Sequence, residues 1–192
     1  MIRAIIGTVA VLAGFAVLER SVDASTGLAG TCKPTQANAT LHRGEAVPVR
    51  TEPAPEAEVI GVLARRGNAR ADLSKSLVTI TASQGGWARI ALGTADDFRA
   101  VDGRGVPSYG WVPADLLAVD ARVDGPITVY SRPGLMGRAL TTIEGDDMRF
   151  RVLGCRGEWL QVINPRHGNV WIDKWCARED GCRGQGFRSS GR

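Results

Sequence analysis

The sequence predicts an all-β protein made of two tandem copies of one small module. A template recurs in both halves: Gly86-Trp87-Ala88-Arg89-Ile90 and Gly110-Trp111-Val112-Pro113 are followed by Glu158-Trp159-Leu160-Gln161-Val162 and Val170-Trp171-Ile172-Asp173. The 24 glycines and 9 prolines among 192 residues are typical of a β protein rich in turns. Because an internal repeat is one folding unit written twice, it favours two small modules over one larger enzyme domain.

Strand-like and turn-like segments divide the chain into a leader, two copies and a tail. In the first copy, apolar β-branched segments predict strands near 47–49, 59–63, 77–81, 87–92 and 109–112. Pro113–Leu117 then predicts one short helical turn followed by a closing strand. We assign the chain as follows: a signal peptide at 1–24, an extended leader at 25–40, a first copy at 41–120 with a loop insertion at 93–108, a second copy at 123–180 and a flexible basic tail at 183–192.

The N-terminus has the features of a secretory signal peptide. Met1-Ile2-Arg3 gives a positive start, Ala4 to Leu18 is an uncharged apolar run, and Val22-Asp23-Ala24 supplies the small residues of a cleavage site. The run is shorter than the ~20 residues of a membrane span, and an uncleaved N-terminal anchor is the alternative. We therefore expect a periplasmic or secreted protein that meets a membrane only through an uncleaved signal anchor, if at all.

The cysteine count fits an oxidising compartment. The chain has four cysteines, Cys32, Cys155, Cys176 and Cys182, and this even number allows full pairing into disulfides. We favour Cys155–Cys176 within the second copy, with Cys32–Cys182 joining the ends of the chain. A close Cys176–Cys182 pair is the alternative. No pair has the spacing of a zinc finger, so no metal is expected.

The charge distribution argues against a nucleic-acid partner. The formal net charge is +4, and three of the positive charges, Arg183, Arg188 and Arg192, lie in the tail. The folded part of the chain is therefore close to neutral, whereas a dedicated nucleic-acid binder carries a basic patch on its folded surface.

Residues suited to catalysis are scarce. The chain has only two histidines and carries no nucleophile elbow, phosphate-binding loop or zinc-protease motif. Cys155 and His167 in the second copy are the pair that resembles a thiol nucleophile with its base, but we favour a disulfide-bonded Cys155 over a free nucleophile. The acidic pairs at 96–97 and 146–147 are interpreted as solvated turns, not calcium ligands. We expect no enzymatic activity and no cofactor.

Alternation along the hairpin strands identifies candidate ligand-binding side chains. In Trp87–Leu92, every second residue is apolar, which leaves Trp87 and Arg89 on the opposite face; Trp159 has the same place in the second copy. Aromatic side chains at the rim of a core bind sugars and peptides through their flat apolar area. Packing is the alternative role, which we favour for Trp111, Trp171 and Trp175. The candidate ligand-binding residues are Trp87, Arg89, Tyr109, Trp111, Trp159 and Trp171, with Arg89 suited to pairing with a ligand carboxylate.

The order of the motifs resembles the bacterial Src homology 3 family, found in exported envelope proteins. The first copy carries the family's V-R-x-x-P, I-G-x-L, G-W and G-[YW]-V elements as Val49-Arg50-Thr51-Glu52-Pro53, Ile60-Gly61-Val62-Leu63, Gly86-Trp87 and Gly110-Trp111-Val112. The second copy diverges, with Ala139-Leu140-Thr141, Glu158-Trp159 and Val170-Trp171-Ile172 in the corresponding places.

This resemblance implies one small Src homology 3-like β-barrel per copy and binding without chemistry. The expected function is an exported non-enzymatic binding protein that recognises peptidoglycan or cell-wall peptides through aromatic rim residues. The alternative is a periplasmic adaptor that binds an envelope protein through the loop 93–108. In a third interpretation, the second barrel is a disulfide-locked spacer.

Overall fold

The chain forms an all-β protein, and this part of the prediction is confirmed. The computed structural model describes residues 30–42, 45–64, 73–95, 97–101, 105–120, 126–143, 149–164 and 166–175. Within these ranges there are 13 strands and two 3-10 turns, at 92–94 and 114–116. The expected signal peptide at 1–24, Cys176, Cys182 and the tail lie outside the described residues.

The strands form one antiparallel sheet of 13 strands. Its order is β10-β9-β13-β12-β11-β8-β1-β4-β5-β7-β2-β3-β6, so the second half of the chain occupies one end of the sheet and the first half the other. The strands are β1 (Gly30–His42), β2 (Ala46–Arg50), β3 (Val59–Ala64), β4 (Leu73–Gln84), β5 (Trp87–Ala91), β6 (Phe98–Ala100), β7 (Tyr109–Pro113), β8 (Leu117–Asp120), β9 (Ile127–Tyr130), β10 (Ala139–Ile143), β11 (Arg149–Arg156), β12 (Trp159–Asn164) and β13 (Gly168–Ile172).

The repeat in the sequence is also a repeat in strand register. The hairpin β4–β5 carries a bulge between Ile80 and Ala82, and the hairpin β11–β12 carries one between Val152 and Gly154. Each bulge lies at the same distance from its hairpin turn. Since a bulge fixes which side chains face the core, the two hairpins present equivalent residues to equivalent faces.

β1 joins the two halves. It pairs with β4 along its length, and its residues Asn38 and Ala39 pair with β8, which in turn pairs with β11 of the second half. Residues 25–40 were predicted to be an extended leader outside the two copies, whereas residues 30–40 lie in the middle of the sheet and Ala37 is fully buried. Ala37, Asn38 and Ala39 belong to the small and polar stretch that was predicted as an extended leader, but neighbouring strands cover them, which local composition does not reveal.

Both halves contribute to one apolar core. A single cluster of buried side chains extends from the first half, where Leu41, Ile80 and Ile90 are fully buried, to the second half, where Phe150 and Leu160 are fully buried. Each such side chain stabilises the fold by about 1.5–3 kcal/mol relative to exposure. The halves therefore share their main source of stability.

The insertion 93–108 is partly ordered into the sheet. Residues Phe98–Ala100 form β6, which pairs with β3 through Leu63 and Phe98, and Phe98 is buried. The prediction of a long loop was therefore wrong for this stretch. A strand of three residues is too short to show an alternating pattern, and it forms here because Gly61 leaves room for the Phe98 ring: a Cβ at Gly61 would overlap it.

A disulfide links Cys32 to Cys155, 123 residues apart in sequence. The favoured pairs Cys155–Cys176 and Cys32–Cys182 were therefore wrong. The error follows from the leader assignment, because Cys32 belongs to β1 and lies beside the turn between β11 and β12. β1 departs from its regular pairing with β4 between Thr31 and Thr35, and this irregularity carries Cys32 towards the second half.

Hydrogen bonds surround this disulfide. The Lys33 N–H donates to the Gly157 carbonyl at 2.8 Å, and the Gly157 N–H donates to the Thr31 carbonyl at 2.9 Å. The Ser83 hydroxyl accepts from the Cys155 N–H at 2.8 Å and donates to the Cys155 carbonyl at 3.0 Å. We call the set Thr31–Lys33, Ser83 and Cys155–Gly157 the junction, because it binds β1 and β4 to β11.

Replacing Cys32 and Cys155 together by serine should lower the free energy of unfolding by about 2–5 kcal/mol, because the disulfide restricts a long loop in the unfolded chain. Urea unfolding of the oxidised protein and of the double variant measures the difference. Peptide mapping of Cys182→Ser provides the control, and absence of the Cys32–Cys155 linkage in that variant would contradict the structure.

Ser83→Ala should cost about 1–3 kcal/mol, because it leaves the N–H and carbonyl of the buried Cys155 without their hydroxyl partner. Lys33→Ala is the matched comparison. It removes the exposed Lys33–Glu158 ion pair at the same junction, and such pairs contribute about 1 kcal/mol or less. Urea unfolding ranks the two variants; an equal or larger loss for Lys33→Ala would show that the hydroxyl is not the important contact.

Candidate functional site

Three neighbouring strands of the first half carry a row of large side chains on their outward side. Arg89 of β5 lies opposite Trp111 of β7, and Trp111 lies opposite Arg50 of β2. The residues that alternate with them along each strand point inward: Ile90 follows Arg89, Val112 follows Trp111, and both are fully buried. Directly opposed residues in antiparallel strands have Cβ atoms about 4.5–5.5 Å apart, so Trp111 stands between two arginines. We define the first outer face as Arg50, Trp87, Arg89, Tyr109 and Trp111.

Both arginines of this face are held in place. The Arg89 guanidinium carbon lies 5.0 Å from the centroid of the Tyr109 ring, and Arg89 Nε donates to Thr81 Oγ1 at 3.0 Å. Arg50 Nη1 donates to the Ala57 carbonyl at 2.6 Å. Fixed guanidinium groups lose little conformational freedom when an anion binds, which favours recognition of a carboxylate at this face.

Tyr109 and Trp87 provide the aromatic surface beside these arginines. Tyr109 remains 49% exposed, so part of this residue is open to a ligand although its ring also contacts Arg89. Trp87 lies opposite Pro113 and is partly buried. It follows the turn at Gly85 and Gly86, both of which have positive φ, a conformation that glycine adopts without strain.

The second half repeats the row with different chemistry. Gln161 of β12 lies opposite Trp171 of β13, and Trp171 lies opposite Tyr130 of β9. The Tyr130 and Trp159 rings pack edge to face, with centroids 5.0 Å apart and planes at 86°. We define the second outer face as Tyr130, Trp159, Gln161 and Trp171. It is aromatic like the first, but Gln161 and Tyr130 replace the two arginines.

The structure brings the predicted residues together in two groups. The first group contains Arg89, Tyr109 and Trp111, which are direct or diagonal neighbours, with Trp87 on the same face. The second group contains Trp159 and Trp171, which belong to the second outer face. The alternation that placed Trp87 and Trp159 outside the core is confirmed, because each is only partly buried and precedes a fully buried residue. Trp175 packs against the core, in agreement with its interpretation as a packing residue.

Sequence reasoning missed Arg50 and Tyr130. Each is the last residue of its strand and alternates with a fully buried valine, Val49 or Val129. The same alternation rule that selected Trp87 would have selected both.

The two residues considered for thiol catalysis, Cys155 and His167, both lie in the described part of the chain. Cys155 is disulfide-bonded, which removes the thiol of the one thiol–imidazole pair considered from the sequence. His167 lies exposed in the turn before β13, where its backbone N–H donates to Asn164 Oδ1 at 3.0 Å. Among the described residues, no three His, Cys, Asp or Glu side chains are grouped as metal ligands would be, and no helix has the length and hydropathy of a membrane span.

Comparison with known proteins yields no relative. No protein-family model, no curated protein and no solved structure matches the chain. The functional interpretation therefore depends on the internal repeat and on the chemistry of the two outer faces.

Gly110→Ala should destabilise the protein by about 1–3 kcal/mol through overpacking. Gly110 lies between Tyr109 and Trp111, and a Cβ there would overlap Val49 Cγ1 and approach Ile60 Cδ1 to 3.1 Å. Gly93→Ala is the matched control, because a Cβ at Gly93 meets nothing within 4 Å. Thermal unfolding compares the variants; equal melting temperatures would show that Gly110 is not needed to bring β7 against β2.

Proposed function

We propose that this chain is an exported, non-enzymatic binding protein built from two tandem Src homology 3-like modules, and that it recognises peptidoglycan through its stem peptides. The observation that carries the proposal is the row Arg50–Trp111–Arg89 on the first outer face, with the half-exposed Tyr109 beside it. This arrangement offers an aromatic surface between two positioned cations.

The chemistry of the row fits a peptide that carries carboxylates. Guanidinium groups pair with carboxylates through short, charge-assisted hydrogen bonds. Aromatic rings stack on peptide and sugar surfaces with little loss of conformational entropy. Peptidoglycan stem peptides present free carboxylates beside sugar rings, so a single wall fragment offers partners for both kinds of side chain.

The second outer face fits the less charged part of the same polymer. Tyr130, Trp159 and Trp171 provide aromatic area, and Gln161 provides an amide in place of a guanidinium. Two weak sites on one chain raise the overall affinity when both reach one polymer, because the second binding event is intramolecular. A repeating polymer such as the cell wall satisfies this condition.

Export is supported by two independent features. The N-terminal sequence has the pattern of a signal peptide, and the Cys32–Cys155 disulfide is typical of proteins that fold in an oxidising compartment. Both are consistent with a protein that meets the wall in the periplasm or outside the cell.

A periplasmic adaptor is the second candidate function. The insertion 93–108 exposes Val101 at 44% and Val106 at 61%, close in sequence to the first outer face. Exposed apolar side chains on an insertion are the usual contact surface for a protein partner. Under this function, the first outer face contributes to a protein interface and not to wall binding.

Arg89→Gln should weaken binding to purified peptidoglycan, measured by co-sedimentation, by at least about tenfold, because a charge-assisted hydrogen bond contributes about 1.5–3 kcal/mol and about 1.4 kcal/mol is tenfold. Tyr109→Ala should weaken it as well, since it removes the exposed ring and releases Arg89. The assay uses oxidised protein recovered from the periplasm of an expressing bacterium. Arg166→Gln is the charge-matched control, because Arg166 is exposed in the turn between β12 and β13, in the other half of the chain from the first outer face.

The outcomes separate the two functions. Absence of pelleting, or equal losses for Arg89→Gln and Arg166→Gln, would rule out specific wall recognition. The adaptor function replaces the wall function if two results are obtained together. The parent chain does not bind the wall specifically but crosslinks to an envelope protein, and Val101→Ser with Val106→Ser abolishes that crosslink. Circular dichroism of each variant shows that the fold is retained.

A further inference from the structure

The two halves contain equivalent loops, at 51–58 and 131–138. The first connects β2 to β3, and the second connects β9 to β10. The Thr51 N–H donates to the Glu58 carbonyl at 3.0 Å, and the Ser131 N–H donates to the Arg138 carbonyl at 3.0 Å. The same hydrogen bond thus closes both loops at the same place, and the two loops share one backbone framework.

Their surfaces are opposite in character. The first loop is acidic, with glutamates at 52, 56 and 58, and its tip consists of Pro55 and Glu56. The second loop contains no acidic residue and carries exposed Arg132 and Arg138. Its tip consists of Leu135 and Met136, whose relative exposures of 107% and 85% make them the most exposed large apolar residues of the described chain.

The fold does not require this apolar tip. The second loop needs glycine near its tip, since Gly134 has a φ of +79° and a Cβ at Gly137 would overlap the Arg132 carbonyl. No such requirement applies to Leu135 and Met136, because the first loop builds the same closure with Pro55 and Glu56. Two adjacent apolar side chains held in water cost solubility, so their presence indicates a surface that covers them.

We propose that the loop 131–138 is a docking element for an anionic lipid bilayer. Leu135 and Met136 enter the interfacial region, while Arg132 and Arg138 at the base of the loop pair with headgroup phosphates. Membrane surfaces attract segments that combine buried apolar area with basic side chains, and arginine binds phosphate through two parallel hydrogen bonds. From the sequence alone, an uncleaved signal anchor was the only expected membrane contact; this loop provides a second and independent one.

The shape and charge of the loop favour lipid over the other occupants. The tip is a protrusion of two side chains, which enters a soft surface without a preformed pocket. A second copy of the chain offers the acidic loop 51–58 as an electrostatic partner, but the tip of that loop, Pro55 and Glu56, has no large apolar area to cover Leu135 and Met136. A bilayer supplies both the negative charge and the apolar interior.

Vesicle flotation tests the proposal with protein recovered from the periplasm, so that every variant carries the same N-terminus. Vesicles of phosphatidylglycerol and phosphatidylcholine are compared with vesicles of phosphatidylcholine alone. Leu135→Ser with Met136→Ser should weaken binding to the anionic vesicles by at least about tenfold. Arg132→Gln with Arg138→Gln should weaken it by about fivefold for each arginine and should reduce the preference for anionic vesicles.

The equivalent loop supplies the matched control. Pro55→Ser with Glu56→Gln alters the tip of the first loop and should leave flotation unchanged. The proposal is overturned if the parent chain does not float with anionic vesicles, or if Leu135→Ser with Met136→Ser floats as well as the parent, which would leave adsorption by charge alone. Sedimentation velocity adds a further arm: if the apolar variant instead converts an oligomer into a monomer, the tip binds a second copy.

Discussion

The attachment of β1 to the β11–β12 turn is the constraint on which the rest of the structure depends. β1 pairs with β4 of the first half and with β8, and its first residues are fixed to the second half by the disulfide Cys32–Cys155. The Ser83 hydroxyl satisfies both backbone groups of Cys155, which lies among apolar side chains where unpaired polar groups are costly. With these contacts formed, the two halves share one sheet and one core. A local opening at the junction therefore exposes apolar surface of both halves, so we expect them to unfold together.

The repeated bulges connect this framework to function. Side chains alternate along a strand, so a bulge that moved by one residue would exchange the inward and outward sets. Both hairpins have the bulge at the same number of residue pairs from the turn. This common register directs Trp87 and Arg89 to the outward side in the first half, and Trp159 and Gln161 in the second. The aromatic rows are therefore a consequence of sheet register. Their chemistry is set separately, by which residues occupy the outward positions.

The sequence was informative wherever the determining interactions are local. Alternation predicted the outward position of Trp87, and the Pro113–Leu117 segment predicted the turn before β8, because neighbouring residues decide both. It failed for β1, β6 and the disulfide, which are determined by contacts between distant residues. Cys32 and Cys155 are brought together by β1, whose small and polar residues are typical of an extended leader. Arg50 and Tyr130 were within reach of the alternation rule, but their grouping with Trp111 and Trp171 required the order of the strands.

The two copies show how a repeat separates what the fold requires from what the surface is free to change. Positions that set register and packing agree between the copies: the bulges, the hairpin glycines Gly85 and Gly157, and the inward apolar residues. Positions that face solvent differ between the copies. The first copy has cationic and aromatic residues on its outer face and an acidic loop at 51–58. The second copy has a neutral aromatic face and a basic loop at 131–138 with an apolar tip. Solvated loop tips are usually polar, because exposed apolar side chains promote association. Leu135 and Met136 depart from this rule, whereas Pro55 and Glu56 at the equivalent tip do not. The proposed membrane contact explains the departure, and the shared sheet then holds a wall-binding face and a membrane-binding loop on one molecule.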